Sequence, residues 1–129
     1  MRFYSYVIKA MMAFALSAAL FSPLRAETIL IMFDEEGCPY CDLWKEQIGP
    51  IYPKTSEGKI APLVMMDISD PLPEDITFDS SPVFTPTFVL VHDGQEVARL
   101  VGYPGEDFFW GLLARMLSKL PEQNTEGSS

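Results

Sequence analysis

Residues 28–33, TILIMF, form an almost unbroken run of apolar, largely β-forming residues, and CPYC follows at 38–41. No other feature restricts the fold as much. A run that is apolar at nearly every position predicts a strand covered on both faces, hence a central strand. Gly37 breaks the run. Pro39 suits a first helical turn, where its missing N–H removes no bond. Leu43, Trp44 and Ile48 follow at helical spacing, and Gly49-Pro50 ends or kinks that helix. The sequence thus delivers two cysteines from the end of a core strand to the beginning of a helix.

The rest of the chain reads as the partners of that strand. In IYPKTSEGKI (51–60), Pro53 and Gly58 predict a short helical turn and a loop. PLVMMDI (62–68) is a second strand. A Pro- and Asp-rich connection from Ser69 to Pro82 holds EDITF as a possible short helix. TFVLVHD (87–93) is a third strand, Asp93-Gly94 a hairpin turn, and EVARLVGY (96–103) its antiparallel partner. The final helix, within GEDFFWGLLARMLSKL (105–120), puts Phe109, Leu112, Leu113, Met116 and Leu120 on one face. Glu106 and Asp107 begin it, Arg115 and Lys119 stand near its end, and Pro121 stops it, matching the helix dipole. A β–α–β unit requires parallel pairing and the hairpin antiparallel pairing. The predicted fold class is α/β, a mixed four-stranded sheet with helices on both faces.

Ahead of this domain, Arg2 and Lys9 precede an apolar run from Ala10 to Leu24. The run is shorter than the roughly 20 residues that span a bilayer, is interrupted at Pro23, and is followed by the small residue Ala26. Residues 1–26 read as a secretory signal peptide cut after Ala26, with a retained membrane anchor as the alternative. Residues 27–121 then form one domain, and 122–129, EQNTEGSS, a tail with nothing to bury. The whole chain carries a formal charge of −9. Losing 1–26 removes three bases, Arg2, Lys9 and Arg25, and no acid, so the exported protein is more acidic still. Such a surface repels nucleic acid and anionic lipid and attracts a basic patch on a protein partner. A monomer without stable membrane insertion is expected, and outside the cytosol its thiols can persist as disulfides.

Cys38 and Cys41 are the only cysteines and His92 the only histidine, too few for a structural zinc site within one chain. Haem attachment wants a histidine after the second cysteine, and Asp42 stands there. A purely structural disulfide across two intervening residues would remove little unfolded-state entropy. A redox pair has a mechanism instead. Unpaired N–H groups and the dipole at a helix start favour a thiolate, and the spacing puts both sulfurs on one side of the first turn. Cys38 is the candidate nucleophile and Cys41 the resolving thiol, so that oxidation joins Cys38 to Cys41. Asp34, Glu35, Glu36 and Asp42 crowd the motif; they read as solvated loop charge and argue against extreme thiolate stabilisation. Trp44 and Trp110 are packing residues, Tyr40 is exposed beside the thiols, His92 is a surface residue, and Met65 and Met66 pack in a strand.

CPYC on strand–turn–helix, then TPT (85–87) opening a strand before a hairpin, then a terminal helix, resembles the thioredoxin superfamily over most of residues 27–120. Pro39-Tyr40 and the minimal element order resemble glutaredoxins. The resemblance implies that Pro86 is cis and faces the cysteines, that Thr85 offers backbone hydrogen bonds to an extended substrate, and that Pro39 and Tyr40 lie at the substrate surface. It implies no cofactor and no metal. More narrowly, GCPYCDLWKEQIGPIYPKTSEGKIAPL and GYPGEDFFWGLL resemble small periplasmic thioredoxins associated with bacterial sulfur oxidation. That likeness implies a reductant of a partner protein's disulfide or modified cysteine, supplied by a membrane thiol donor. Gly37 replaces thioredoxin's tryptophan, Met32 its buried acid, and GYPGED (102–107) the double glycine of glutathione-binding relatives. The rival functions are a disulfide oxidant or isomerase, and a non-catalytic adaptor or chaperone.

Overall fold

The computed structural model describes residues 27–122; the expected signal segment at 1–26 and residues 123–129 of the tail lie outside the described residues. Strand β1 (Thr28–Asp34) leads through a bend to helix α1 (Pro39–Gln47). A 3-10 turn (Tyr52–Lys54) and a short helix α2 (Ser56–Ile60) precede β2 (Leu63–Asp67). Then come β3 (Thr87–His92), β4 (Gln95–Val101) and α3 (Glu106–Leu117). The sheet order is β2-β1-β3-β4, with β1 parallel to β2 and antiparallel to β3, and β3 antiparallel to β4. The mixed four-stranded sheet read from the sequence is therefore observed, with TILIMF at its centre.

Period-two alternation sends the side chains of the central strands to two separate layers. Leu30 and Met32 of β1 and Phe88 and Leu90 of β3 join Trp44, Ile48, Tyr52, Ala61, Phe109, Leu113 and Met116. Trp44 is the hub of this layer, its ring centroid 5.3 Å from Phe88 and 5.8 Å from Phe109. The segment predicted as a turn and loop contains one more helix than expected. Thr55 caps α2 by accepting the Gly58 N–H at 3.0 Å, and the Tyr52 hydroxyl donates to the Ala61 carbonyl at 2.7 Å. Gly58 is not a helix breaker here: a Cβ would stand 1.9 Å from the Tyr52 carbonyl oxygen, so the backbones meet where only glycine fits.

The opposite layer corrects two expectations. Ile31, Phe33, Val89 and Val91 are covered by Leu72, Ile76 and Phe78 from the connection after β2, not by a helix. EDITF, expected as a short helix, is not helical. Its Thr77 bridges Gln95 at the free edge of β4, donating its N–H to the Gly94 carbonyl and accepting the Glu96 N–H. Pro71 and Pro73 immediately before EDITF disfavour a helix running in from that side, and the connection's apolar residues cover the sheet face without one. Arg99 clamps it, bonding both carboxylate oxygens of Glu96 at 2.8 Å and the Ser80 carbonyl at 2.6 Å. His92, expected as a free surface residue, is half-buried, and its Nδ1 shares a 2.7 Å hydrogen bond with the Thr28 hydroxyl.

The clamp makes stability depend on pH. Burial alone would raise the Glu96 carboxyl, but hydrogen bonds from Arg99 and the Asp79 N–H, with the Arg99 charge, hold it below its ordinary value. A carboxylate depressed on folding stabilises above its unfolded pKa and loses that contribution as pH falls through the folded value. Urea titrations of the wild type should show stability falling from about pH 4.5 downward, and E96Q should flatten that limb while lowering stability at pH 7.

Candidate functional site

Antiparallel pairing of β1 with β3 sets Phe33 opposite Thr87. The end of β1, which runs into the cysteines, therefore lies beside the beginning of β3, which follows Thr85-Pro86. Residues 38–41 and 85–86 thus lie at the same end of the sheet although almost fifty positions separate them. The Thr85–Pro86 peptide is cis, as the resemblance implied. The Thr85 hydroxyl donates to Glu35 Oε1 at 2.8 Å, tying the proline loop to the bend that precedes the cysteines. Gly102, just after β4, donates its N–H to the Pro86 carbonyl at 2.7 Å.

Gly37 takes φ +79°, the left-handed turn that swings the chain from strand into helix. Cys38 is the N-cap of α1 and Pro39 its first residue. The two cysteines form a disulfide. Cys38 Sγ also accepts the backbone N–H of Cys41 at 3.1 Å, the role a serine or aspartate oxygen plays at other helix starts. Cys38 is almost covered and Cys41 fully buried. Tyr40 between them is 61% exposed, whereas Pro86 is buried beneath the loop. The Thr85 N–H and carbonyl make no hydrogen bond among the described residues. Together the site can present one sulfur at the rim, hold the other in the core and offer an edge for backbone pairing.

Sequence reading missed an ion pair. Asp34 is not loop charge: it ends β1, and its Oδ2 pairs with Lys45 Nζ one helical turn beyond Cys41. Its Oδ1 is buried without a partner among the described residues. The pair lines an open cleft of about 390 Å³ with Glu35, Glu36, Gly37, Asp42 and Met65. Asp34 ends a strand and Lys45 lies on the helix after the intervening turn, so no single helical or strand period relates them. The Thr85–Glu35 bond was equally invisible, since it depends on the register of β1 against β3, two strands distant in sequence. Among the described residues no group of three or more His, Cys, Asp or Glu side chains could hold a metal, and no helix is long and apolar enough to cross a membrane.

A thioredoxin-like domain family model matches residues 22–117. With the sheet order, the CxxC pair at a helix start and the cis-proline beside it, this settles the class. The chain belongs to the thioredoxin-like family. Among solved structures it is 47% identical to the periplasmic thioredoxin SoxS from Paracoccus pantotrophus in its reduced form, covering 72% of this chain and 98% of that one with a TM-score of 0.71. It is also similar to the Malassezia sympodialis thioredoxin Mala s 13, at 20% identity over 69% of this chain and 74% of that one, TM-score 0.47. No curated protein matches it significantly.

The ion pair under the motif holds α1 to the end of β1. Lys45→Met would leave the Asp34 carboxylate, only 16% exposed at its side chain, without a counter-charge. Stability by urea denaturation should fall by about 1–3 kcal/mol, and Asp34→Asn combined with Lys45→Met should recover part of the loss.

Proposed function

We propose that the protein is a periplasmic thiol–disulfide oxidoreductase that reduces a disulfide or modified cysteine on a partner protein. The observation that carries this reading is the position of Cys38 Sγ, at a helix start, against the Cys41 N–H and beside the cis-proline. In the dithiol form the same N–H faces a thiolate and favours its charge. Thr85 N–H and carbonyl are available to align the partner's backbone, and Pro39 and Tyr40 form the surface around the attacking sulfur.

The exchange balances within the two proteins. The Cys38 thiolate attacks one sulfur of the partner disulfide, forming a mixed disulfide and releasing the other partner sulfur as a thiolate. Cys41, deprotonated, then attacks Cys38 Sγ, closing the Cys38–Cys41 disulfide and releasing the partner's second thiolate. Two electrons pass to the partner. Another dithiol, assigned here to a membrane donor, returns them by the reverse exchange. The periplasmic location rests on the basic-then-apolar segment at 1–26 and on the likeness to periplasmic SoxS. A sulfur-carrier protein is the partner class suggested by the sulfur-oxidation resemblance.

The acids favour reductant over oxidant. Glu35, Glu36 and Asp42 disfavour the thiolate, and a strong oxidant depends on extreme thiolate stabilisation. The couple should equilibrate with glutathione nearer thioredoxin's roughly −270 mV than the roughly −120 mV of a strong periplasmic oxidant. A potential close to the latter would reverse the direction of flow. Cys41→Ser should accumulate a mixed disulfide with a periplasmic partner, while Cys38→Ser captures none. If Cys41→Ser traps nothing, the non-catalytic adaptor reading replaces this one.

A further inference from the structure

The redox centre opens onto an uncovered apolar face with a carboxylate rim. Tyr40 between the cysteines, Val83 and Phe84 ahead of the cis-proline, and Val101 at the end of β4 are each more than half exposed. The sheet gathers them at one end of its strands, since Thr87 pairs with both Phe33 and Val101. Val83 and Phe84 do not hang free. Arg99 grips Ser80 before them, the Thr87 hydroxyl donates to the Phe84 carbonyl at 2.6 Å, and the Thr85 hydroxyl bonds Glu35 after them. Large apolar side chains held rigidly in water around a reactive group mark an interaction surface.

The charge around this face that has no counter-ion is of one sign, since Arg99 behind the loop is paired with Glu96. Glu35 is fixed beside the proline loop by Thr85, while Glu36 and Asp42 stand exposed on either side of the cysteines. Among the described residues Lys45 is the only cation lining the adjoining cleft, and Asp34 neutralises it. We propose that this face selects a protein segment that presents its disulfide next to an apolar side chain and flanks it with lysine or arginine. The inference rests on the redox reading of the same site and adds the chemistry of the partner. The apolar residues supply the area of contact, and the carboxylates draw in the cationic flanks. Charge complementarity of this kind raises encounter rates by about 10- to 1,000-fold at low ionic strength and disfavours partners of like charge.

The test uses the full chain, reduced and freed of reductant, in single-turnover reactions followed by stopped-flow fluorescence. Two peptide disulfides share one phenylalanine beside the bond and differ only in lysine or glutamate flanks; hydroxyethyl disulfide serves as an uncharged control. The lysine peptide should react at least about 10-fold faster than the glutamate peptide at 20 mM salt, with the ratio narrowing several-fold at 300 mM. In E35Q/E36Q/D42N the ratio should fall towards one; any change in thiolate reactivity cancels in it. Phe84→Ala should slow both peptides by a similar factor. Equal rates for the two peptides, or a ratio unchanged in the triple variant, would overturn the inference while leaving the redox reading intact. Failure of the wild type to reduce hydroxyethyl disulfide would overturn both.

Discussion

The Cys41 N–H pointing at Cys38 Sγ is the contact on which the active edge of the molecule depends. A helix must begin with several unpaired donors, and here one of them is satisfied by the sulfur that is also the candidate nucleophile. In the proposed reaction, capping and activation are one interaction. The sulfur completes the helix, and the helix in turn favours its negative charge. The neighbouring acids oppose that charge, so the thiol is expected to be tuned moderately rather than driven to an extreme.

The contact keeps its geometry because the helix behind it cannot shift. Trp44, one turn beyond Cys41, is wedged among Tyr52, Phe88 and Phe109. Phe88 belongs to β3, two positions after the cis-proline. One cluster of rings therefore fixes both the helix that carries the cysteines and the strand that carries the proline. At the rim, Thr85–Glu35 ties the proline loop to the bend before the cysteines, and Asp34–Lys45 ties α1 to the end of β1. Further away, the Arg99–Glu96 clamp holds the helix-free connection against the sheet, and so steadies the loop that ends in Val83 and Phe84.

Much of this could be read from the chain because local signals and global fold agree. TILIMF, CPYC and the Asp93-Gly94 turn each encode their structure within a few residues, and Phe109, Leu113 and Met116 show their buried face by spacing alone. Glycine and proline were less reliable. Gly58 resembled a loop residue, yet it is required by the close approach of the Tyr52 carbonyl inside a packed helical segment. EDITF had the composition of a short helix, but sheet-edge hydrogen bonds to Gly94 and Glu96 won over local preference. Of the ties that shape the site, Thr85 to Glu35 arises only once β1 and β3 are in register, and Asp34 to Lys45 only once α1 has docked against β1. No one-dimensional pattern announces them.

The helix start should lower the pKa of one particular thiol, and titration of that thiol tests this most directly. In the reduced protein, the rate of alkylation by neutral iodoacetamide against pH reports the ionisation of Cys38, with Cys41 replaced by serine to isolate it. The account predicts a midpoint about one unit or more below the roughly 8.5 of free cysteine, yet well above the roughly 3.5 of the most acidic relatives. A midpoint at or above that of free cysteine would contradict it.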